Sequence, residues 1–348
     1  MNLVVGSRTT KERQARGLGM SLMRLADDGQ LTLETIEKGL TNPSYLTFNA
    51  AKTRLYVVHG DTDQASTFAY DRETNKLTYL SSVTTGGRNP VHLALSPSEK
   101  QLVVSNHVSS SIAVLSIDDH GELSELSQLI LLSGEVGPHR DEQPFAKPHF
   151  NPFSPCGNFV VVPDKGLDKI FSFPFEGGRI IEDGAQVCDA REGAGPRNLV
   201  FHPSGKWAYV INELDSTICA YSFNAETGQL LPFQIISSLS QHFTGNSRAS
   251  GICINAKGST LYASNRGEDS LIVVSIDEKT GEMKPIQTVP SGGKTPRFFT
   301  LSPDEHFLFV LNEDSDTIQT MSVTSEDGCL LAVGQPFASA SPVCMVFA

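Results

Sequence analysis

Several common features are absent or scarce in this chain. It has one tryptophan, no segment with a sustained helical period, and no apolar run near the ~18 residues that a membrane helix needs. Its six cysteines show no CxxC pairing, which favours reduced thiols over a disulfide framework or a zinc ribbon. There is no GxSxG, HExxH or P-loop, and no GxGxxG that opens a helix. These absences exclude the hydrolase, metalloprotease and nucleotide-binding classes that carry such motifs.

The net charge of the chain limits the classes of molecule that it can bind. The 348 residues carry a formal net charge of −12, which argues against nucleic acid or an anionic membrane as a partner. A small anionic substrate is compatible with this balance, because a basic pocket can lie inside an acidic shell. The N-terminal MNLVVGSRTTKER lacks the pattern of a signal peptide, so we expect a cytoplasmic protein.

The chain repeats itself. A proline or alanine precedes a short apolar strand at intervals of about 50 residues, the spacing of propeller blades. These anchor residues are Pro43, Pro90, Pro148, Pro196, Ala249, Pro296 and Pro342. A turn rich in acidic residues and glycine, such as NAETGQL (224–230), also recurs seven times. The pattern predicts an all-β, seven-bladed propeller with four antiparallel strands in each blade.

The two ends complement each other. The chain begins with MNLVVGS, a second strand without a first, and it stops at SPVCMVFA, a first strand without a second. We therefore expect strand 343–347 to pair with strand 2–6, which closes the ring and removes open sheet edges. Residues 1–348 then form a single domain.

Three segments depart from the repeat. Residues 7–17 form a polar, basic insertion, interpreted as a solvated loop with a rim over the site as the alternative. Residues 133–150 and 238–251 form long loops that lead into the first strands of blades three and five. Long loops at such positions commonly carry specificity.

The candidate functional residues lie at the ends of the strands. Neighbouring strands run in opposite directions, so the start of each first strand and the end of each second strand lie at one face. The residues after the anchors should converge on one mouth: Ser44, Val91, His149, Arg197, Ser250, Arg297 and Val343. The ends of the second strands frame it with His59, Asn106, His107, Asp164, Lys165, Asn212, Glu213, Asn265, Arg266, Asn312 and Glu313.

An imidazole, a carboxylate and two guanidinium groups suit an anionic substrate that needs proton transfer. The predicted catalytic residues are His149, Arg197, Glu213 and Arg266, and the predicted substrate-binding residues are Arg297, Lys165, His92, Asn212 and Asn265. For Arg297 and the asparagines, we favour the alternative that they tie blades together. Structural roles are expected for His202 and His306, and channel packing for Tyr45, Phe150 and Phe298. Oxygen ligands at the strand ends could hold Ca²⁺, but the arginines oppose this, so no metal and no cofactor are predicted.

At these residues the sequence resembles the seven-bladed lactonase family, which contains propeller-type 6-phosphogluconolactonases and carboxy-muconate cyclases. The resemblance covers nearly the whole chain. Its most specific pieces are NPSYL (42–46), KPHF (147–150), VVPDKGLDKI (161–170), GPRNLVFHPSGKWAYVINEL (195–214), LYASNRGEDSL (261–271) and TPRFFTLSPD (295–304). It implies an active-site His, Glu and two Arg at His149, Glu213, Arg197 and Arg266. The chain departs from the family at Lys165, Asn198 and Ser250.

Three functions follow as hypotheses. The first is hydrolysis of 6-phosphogluconolactone in the pentose phosphate pathway, with Glu213 or His149 as general base, Arg197 or Arg266 at the oxyanion, and Lys165 or Arg297 at the phosphate. The second is a cyclase acting on a carboxylated muconate. The third is a non-catalytic binding propeller. A monomer or weak homodimer is expected.

Overall fold

Short apolar strands separated by turns close into a ring of seven four-stranded antiparallel sheets. The structure, a computed structural model, describes residues 1–348. Helix is limited to two single 3₁₀ turns, Lys11–Arg13 and Glu182–Gly184, so no helix in the chain has the length needed to cross a membrane. The prediction of an all-β, seven-bladed propeller is confirmed.

The strands of each blade follow one another in sequence. The closing blade contains β1 (Asn2–Ser7), β2 (Gly19–Leu25) and β3 (Leu31–Lys38), joined by β28 (Pro342–Phe347). Blade one contains β4 (Pro43–Phe48), β5 (Arg54–His59), β6 (Gln64–Asp71) and β7 (Lys76–Thr84). Blade two contains β8 (Pro90–Leu95), β9 (Gln101–Asn106), β10 (Ser111–Ile117) and β11 (Leu123–Leu131). Blade three contains β12 (Phe159–Asp164), β13 (Lys169–Glu176), β14 (Arg179–Ile180) and β15 (Gln186–Asp189).

The second half of the chain is more regular. Blade four contains β16 (Pro196–Phe201), β17 (Trp207–Asn212), β18 (Thr217–Phe223) and β19 (Leu230–Ser237). Blade five contains β20 (Arg248–Ile254), β21 (Thr260–Arg266), β22 (Ser270–Ile276) and β23 (Met283–Pro290). Blade six contains β24 (Pro296–Leu301), β25 (Phe307–Asn312), β26 (Thr317–Val323) and β27 (Leu330–Ala338). In every regular blade the first strand contacts the first strands of neighbouring blades, so it lies innermost.

The ring closes as predicted. β28 pairs antiparallel with β1, with Leu3 opposite Phe347 and Val5 opposite Met345. This pairing joins the two ends of the chain within one sheet and supplies the innermost strand of the closing blade, so β1 is paired on both sides.

Blade three corrects the sequence prediction. The expected first strand at His149 is reduced to two isolated bridges, Pro148 with Asp164 and Phe153 with Val160. A proline at the anchor position is common to the regular first strands, but Pro152 places a second residue without an N–H inside this segment, which explains the interruption. The chain still follows the inner path here, so His149 keeps the position that the repeat assigns to it.

The core is divided among the blade interfaces. There are seven clusters of buried apolar side chains, and each joins two neighbouring blades. The cluster between blades four and five, for example, contains Tyr209, Ile218, Leu261 and Ile272, all almost fully buried. Packing between blades therefore holds the inner strands, and with them the central mouth, in fixed positions.

Candidate active site

Six second strands leave the sheet in the same way. The N–H of the residue after each strand donates to the carbonyl of the residue before an anchor, at 2.8 to 3.0 Å. The donors are Arg8, Gly60, His107, Lys165, Glu213 and Glu313, and the acceptors are Ser341, Asn42, Asn89, Lys147, Gly195 and Thr295 in that order. In blade five, Arg266 pairs with Arg248 within the strands. The repeated geometry gives seven equivalent positions around the mouth.

Arg8 is the member of this series that sequence reasoning missed. It follows β1, the second strand of the closing blade, and it belongs to the insertion that we interpreted as solvated. Five residues of the insertion, 11–14 and Arg16, are exposed, but Arg8 is only 3% exposed and lines the central cavity. Extending the strand-end series to the first strand of the chain would have identified it.

The central cavity opens at this mouth. Its volume is about 390 Å³ when the open space at the mouth is included. Six of the seven side chains that follow the anchors line it, as predicted, the exception being Ser250. The complete lining consists of Arg8, Ser44, Tyr45, Val91, His149, Phe150, Arg197, Asn198, Arg297, Phe298 and Val343. The inferred convergence of distant residues on one opening is thus confirmed.

Glu213 binds three cations behind the cavity wall. Its Oε2 accepts a hydrogen bond from Arg197 Nε at 2.9 Å and lies 3.1 Å from Arg266 Nη2, while its Oε1 lies 3.2 Å from Lys165 Nζ. The carboxylate is 4% exposed. Burial would raise its pKa, but the charges of Arg266, Lys165 and Arg197 outweigh burial and hold the pKa well below its usual range. A carboxylate with these partners is a poor proton acceptor.

The network also orients both arginines. Arg197 Nη1 donates to the carbonyl of Ser250 at 2.7 Å, and Arg266 Nη2 donates to the carbonyl of Ala249 at 3.0 Å. Burial lowers the pKa of Arg197 well below its usual value, and the neighbouring Arg266 charge adds to this effect. Arg266 Nε also donates to the carbonyl of Arg248 at 3.3 Å, and Arg197 Nη1 to Asn198 Oδ1 at 3.2 Å, so each guanidinium is fixed by Glu213 and by further acceptors.

The two long loops meet beside this network. Glu142, in the loop before blade three, lies 2.8 Å from Lys165 Nζ and 2.5 Å from Arg248 Nη1, at the start of blade five. Burial would raise the pKa of Glu142, but hydrogen bonding to Lys165 and Arg248 outweighs it and lowers the pKa to about 2. This series of ion pairs, from Arg248 through Glu142 and Lys165 to Glu213, consequently connects the loop before blade three with the start of blade five, across blade four.

His149 differs from every charged group around it. Its Nδ1 is buried without a hydrogen-bond partner, and its ring lies 5.1 Å from that of His107. Burial, followed by the charge of Arg197, holds the pKa of His149 well below its usual value. The imidazole is therefore unprotonated at pH 7 and its Nδ1 has no hydrogen-bond partner, so it can accept a proton, although burial and the Arg197 charge lower its basicity.

Arg297 lies on the next inner strand, in blade six. Its Nη1 is 3.7 Å from Glu313 Oε2, and its side chain is 22% exposed, so it is the more accessible guanidinium of the cavity. Its backbone carbonyl accepts a hydrogen bond from Ser250 Oγ at 2.7 Å. The position agrees with the predicted substrate contact, although the role itself stays a prediction.

Four predicted substrate-binding residues do not line this cavity: Lys165, whose contacts are given above, and His92, Asn212 and Asn265. His92 lies under the aromatic floor, where its Nδ1 is 2.9 Å from Asn151 Oδ1, because the alternation of the strand turns Val91 and not His92 to the mouth. Asn265 donates to the carbonyl of Ser238 at the end of blade four, which agrees with the alternative that the asparagines tie blades together. Asn212 donates to Thr217 Oγ1 within its own blade and so does not tie blades together.

Aromatic side chains close the bottom of the cavity, as predicted. Tyr45 packs edge-on against Phe150 and Phe298, with ring centroids 6.2 and 6.1 Å apart. Away from the mouth, His202 Nε2 lies 3.1 Å from the carbonyl of Gly258 in the next blade, and His306 is largely exposed. No group of three or more His, Cys, Asp or Glu side chains is arranged to hold a metal ion.

The fold and the cavity define a seven-bladed propeller with a basic, polar mouth. The sequence profile described as "Lactonase, 7-bladed beta-propeller" matches residues 2–347, and the chain belongs to that family. It is 31% identical over 311 residues to the 6-phosphogluconolactonase of Bacillus subtilis, covering 88% of both chains. It is 30% identical over 347 residues to the 6-phosphogluconolactonase of Formosa agariphila, covering 96% of this chain and 95% of that one.

Solved structures agree. A putative 6-phosphogluconolactonase of Bacteroides fragilis superposes with a TM-score of 0.90 at 26% identity, covering 100% of this chain and 97% of that one. The periplasmic gluconolactonase of Pseudomonas aeruginosa superposes with a TM-score of 0.91 at 26% identity, covering 99% and 98% of the two chains. The resemblance read from the sequence is confirmed, while the roles of the individual site residues stay predictions.

Proposed function

We propose that this protein hydrolyses the ester bond of a sugar-acid lactone, with 6-phosphogluconolactone as substrate and 6-phosphogluconate as product. The observation that carries the proposal is the unpaired, neutral His149 beside an arginine pair held by Glu213. The relatives named 6-phosphogluconolactonase support the choice of substrate. Action in the pentose phosphate pathway and in the cytoplasm belongs to the same proposal.

The chemistry follows from these groups. A water molecule attacks the lactone carbonyl while His149 accepts one of its protons. The carbonyl oxygen becomes an oxyanion, which Arg197 stabilises with Arg266 beside it, because charged donors already in place need no reorganisation. When the tetrahedral intermediate collapses, the ring carbon–oxygen bond breaks and the histidinium returns the proton to the leaving alkoxide. Glu213 holds the arginines and takes no proton.

The geometry favours hydrolysis over the cyclase alternative. A cyclase needs a group that gives a proton to carbon, and the lowered pKa of His149 leaves its imidazole without that proton at pH 7. His149 is the only imidazole among the residues that line the cavity, and Arg8, Arg197 and Arg297 line it as well. The binding-only hypothesis offers no reason for this combination.

A rate measurement tests the proposal. Lactone hydrolysis should be followed for 6-phosphogluconolactone, for glucono-δ-lactone and, in the cyclising direction, for a carboxylated muconate, each corrected for the spontaneous rate. We expect clear acceleration with the lactones and none with the muconate. A purified, folded protein that leaves both lactone rates at the spontaneous level would refute the proposal.

A further inference from the structure

Arg8 carries a buried charge that no carboxylate contacts closely, although the charges of Glu313 and Asp61 act on it from a distance. Its Nη1 has no hydrogen-bond partner, and the only carboxylate within 4.0 Å is that of Asp61, at 4.0 Å. Burial, together with the charge of Arg297, lowers the pKa of Arg8 to about 9, so it is still a cation at neutral pH. An isolated buried cation is costly, and proteins retain one where an anion binds.

Asp61 is already committed elsewhere. Both of its oxygens accept hydrogen bonds from Arg13, and Asn42 Nδ2 donates to its Oδ2 at 2.9 Å. Arg13 lies on the same insertion, residues 7–17, as Arg8. Arg16 anchors the far end of the insertion to Asp316. The insertion is thus pinned on both sides, and it presents Arg8 to the cavity while its other cations satisfy the nearby carboxylates.

The neighbourhood of Arg8 is shaped to leave room. Ser44 Oγ is also buried without a hydrogen-bond partner. Gly60 occupies the equivalent strand-end position in blade one, and a Cβ there would lie 2.2 Å from Arg8 Nη1 and 3.0 Å from Ser44 Oγ. The absence of a side chain at Gly60 therefore lets the guanidinium and the hydroxyl approach each other. Arg8 and Ser44 line the same cavity from adjacent blades, and each has an unpaired donor buried in the cavity wall.

We propose that Arg8, Ser44 and Arg297 form a subsite for the phosphate group of the substrate, on the side of the cavity opposite the Glu213 network. Arg297 belongs to blade six, Arg8 to the closing blade and Ser44 to blade one, so the three are consecutive around the ring. Guanidinium groups match the oxygens of a phosphate monoester, and a hydroxyl adds one donor. This inference rests on the proposed function, since it assigns the substrate class of the same site.

Lys165 is the competing candidate for the phosphate, and its contacts argue against it. Its ammonium group is shared between Glu142 and Glu213 at 2.8 and 3.2 Å. A phosphate would have to displace one of these carboxylates, whereas Arg8 has nothing to give up. The subsite also explains why the insertion is basic although the protein is acidic.

Two variants separate charge from position. Arg8→Met removes the charge and keeps the length of the side chain. Gly60→Ala keeps the charge of Arg8 but displaces its guanidinium group. Alanine fits the backbone at position 60, because the φ of Gly60 does not lie in the left-handed region. Either change should raise KM for 6-phosphogluconolactone about 10- to 100-fold, the size of a lost charge-assisted hydrogen bond. KM for glucono-δ-lactone should stay within about twofold, because that substrate has no phosphate. Lys11→Met, an exposed cation on the same insertion, is the matched control.

Binding without turnover gives an independent measurement. Calorimetric titration should show that the wild-type protein binds 6-phosphogluconate more tightly than gluconate, and that Arg8→Met abolishes this preference. Inorganic phosphate should raise the melting temperature of the wild-type protein and of Lys11→Met, but not of Arg8→Met. Arg8→Met without phosphate should melt at or above the wild-type temperature, because an unpaired buried charge is gone.

The outcomes are distinguishable. Equal losses for both lactones in Arg8→Met, or an unchanged preference for 6-phosphogluconate, would overturn the subsite while leaving the lactonase proposal intact. If the wild-type protein hydrolyses neither lactone, the proposed function fails. Calorimetry still decides whether a phosphate subsite exists, because it compares the binding of 6-phosphogluconate with that of gluconate. If Arg8→Met does not fold, Arg8→Gln removes the charge in its place, and Gly60→Ala still tests the position of the guanidinium.

Discussion

The two halves of the mouth differ in how closely their buried cations are paired with carboxylates. In blades three to five, Glu213 is shared by Arg197, Arg266 and Lys165, and each cation has a carboxylate within 3.2 Å. In blade six and the closing blade, Arg297 has a carboxylate only at 3.7 Å and Arg8 only at 4.0 Å. The strand-end geometry is the same on both sides, so the difference lies in the side chains.

This difference separates orientation from ligand binding. Charges that are satisfied within the protein are held rigid, and they suit a transition state whose position must be matched closely. A charge that lacks a partner retains its capacity to bind an incoming anion. Reactive chemistry on the paired half and anion binding on the unpaired half follow from one ring in which equivalent positions carry different residues.

Glu213→Gln should have the largest effect, because it breaks the paired half. Three buried cations would lose their common carboxylate, which costs roughly 3 to 5 kcal/mol of folding free energy. We expect turnover to fall about 10³-fold as the arginines lose their orientation. Urea unfolding and steady-state kinetics measure the two effects.

Glu313→Gln is the matched control in blade six. Its ion pair with Arg297 is longer and partly exposed, so the stability change should stay below about 1 kcal/mol. If the two substitutions had equal effects on stability, the distinction between the two halves would be wrong.

His149→Ala tests which group on the paired half moves the proton. Turnover should fall about 10²- to 10⁴-fold, with the melting temperature close to that of the wild type. Because the pKa of His149 lies below its usual value, the acid limb of kcat/KM should begin below pH 6.5. His306→Gln, at an exposed site away from the cavity, should leave the rate unchanged. A normal rate in His149→Ala would remove histidine from the mechanism.

Acid should weaken the fold through buried histidines before the carboxylates titrate. Burial lowers the pKa of His92 and of His107 to about 3, and that of His149 well below its usual value. Each histidine takes up a proton below pH ~6.5 only in the unfolded chain, so stability falls with pH by at most about 1.4 kcal/mol per unit for each. Burial raises the pKa of Asp164 to about 6, which offsets one of these protons between pH ~4 and 6.

The measurement is urea unfolding at pH 7, 6 and 5. Stability should decrease steadily from about pH 6.5, and His92→Asn should reduce the slope by about one proton without altering the mouth. Burial also lowers the pKa of His59 and of His202, which adds to the same trend. Constant stability across this range would contradict the assignment of neutral histidines in the folded protein.

Arg248→Ala should have the smallest effect. It opens the contact between the two long loops by removing one partner of Glu142, but Lys165 remains bound to that carboxylate. Since Arg248 is about half exposed, the loss of stability should stay below about 1 kcal/mol. A rise in KM of a few fold, with kcat retained, would show that the contact shapes substrate access.

The strand-level repeat made most of this site predictable. The anchors placed His149, Arg197 and Arg297 at one opening, and the strand ends added Glu213, Lys165 and Arg266. His92 was assigned wrongly because it lies one residue beyond the position that faces the mouth. Arg8 was missed because the closing blade begins with its second strand, so the series of strand ends was started one blade too late.

Periodic strands, turns and complementary termini determined the closed ring, since each follows from local backbone preferences that repeat in every blade. The pairing of charges was decided only by tertiary structure. Glu213 meets cations from three blades, and Arg8 meets none of the carboxylates closely, because distances between side chains on different blades depend on how the blades pack. Which histidine is neutral, and which arginine remains free for a ligand, are consequences of that packing.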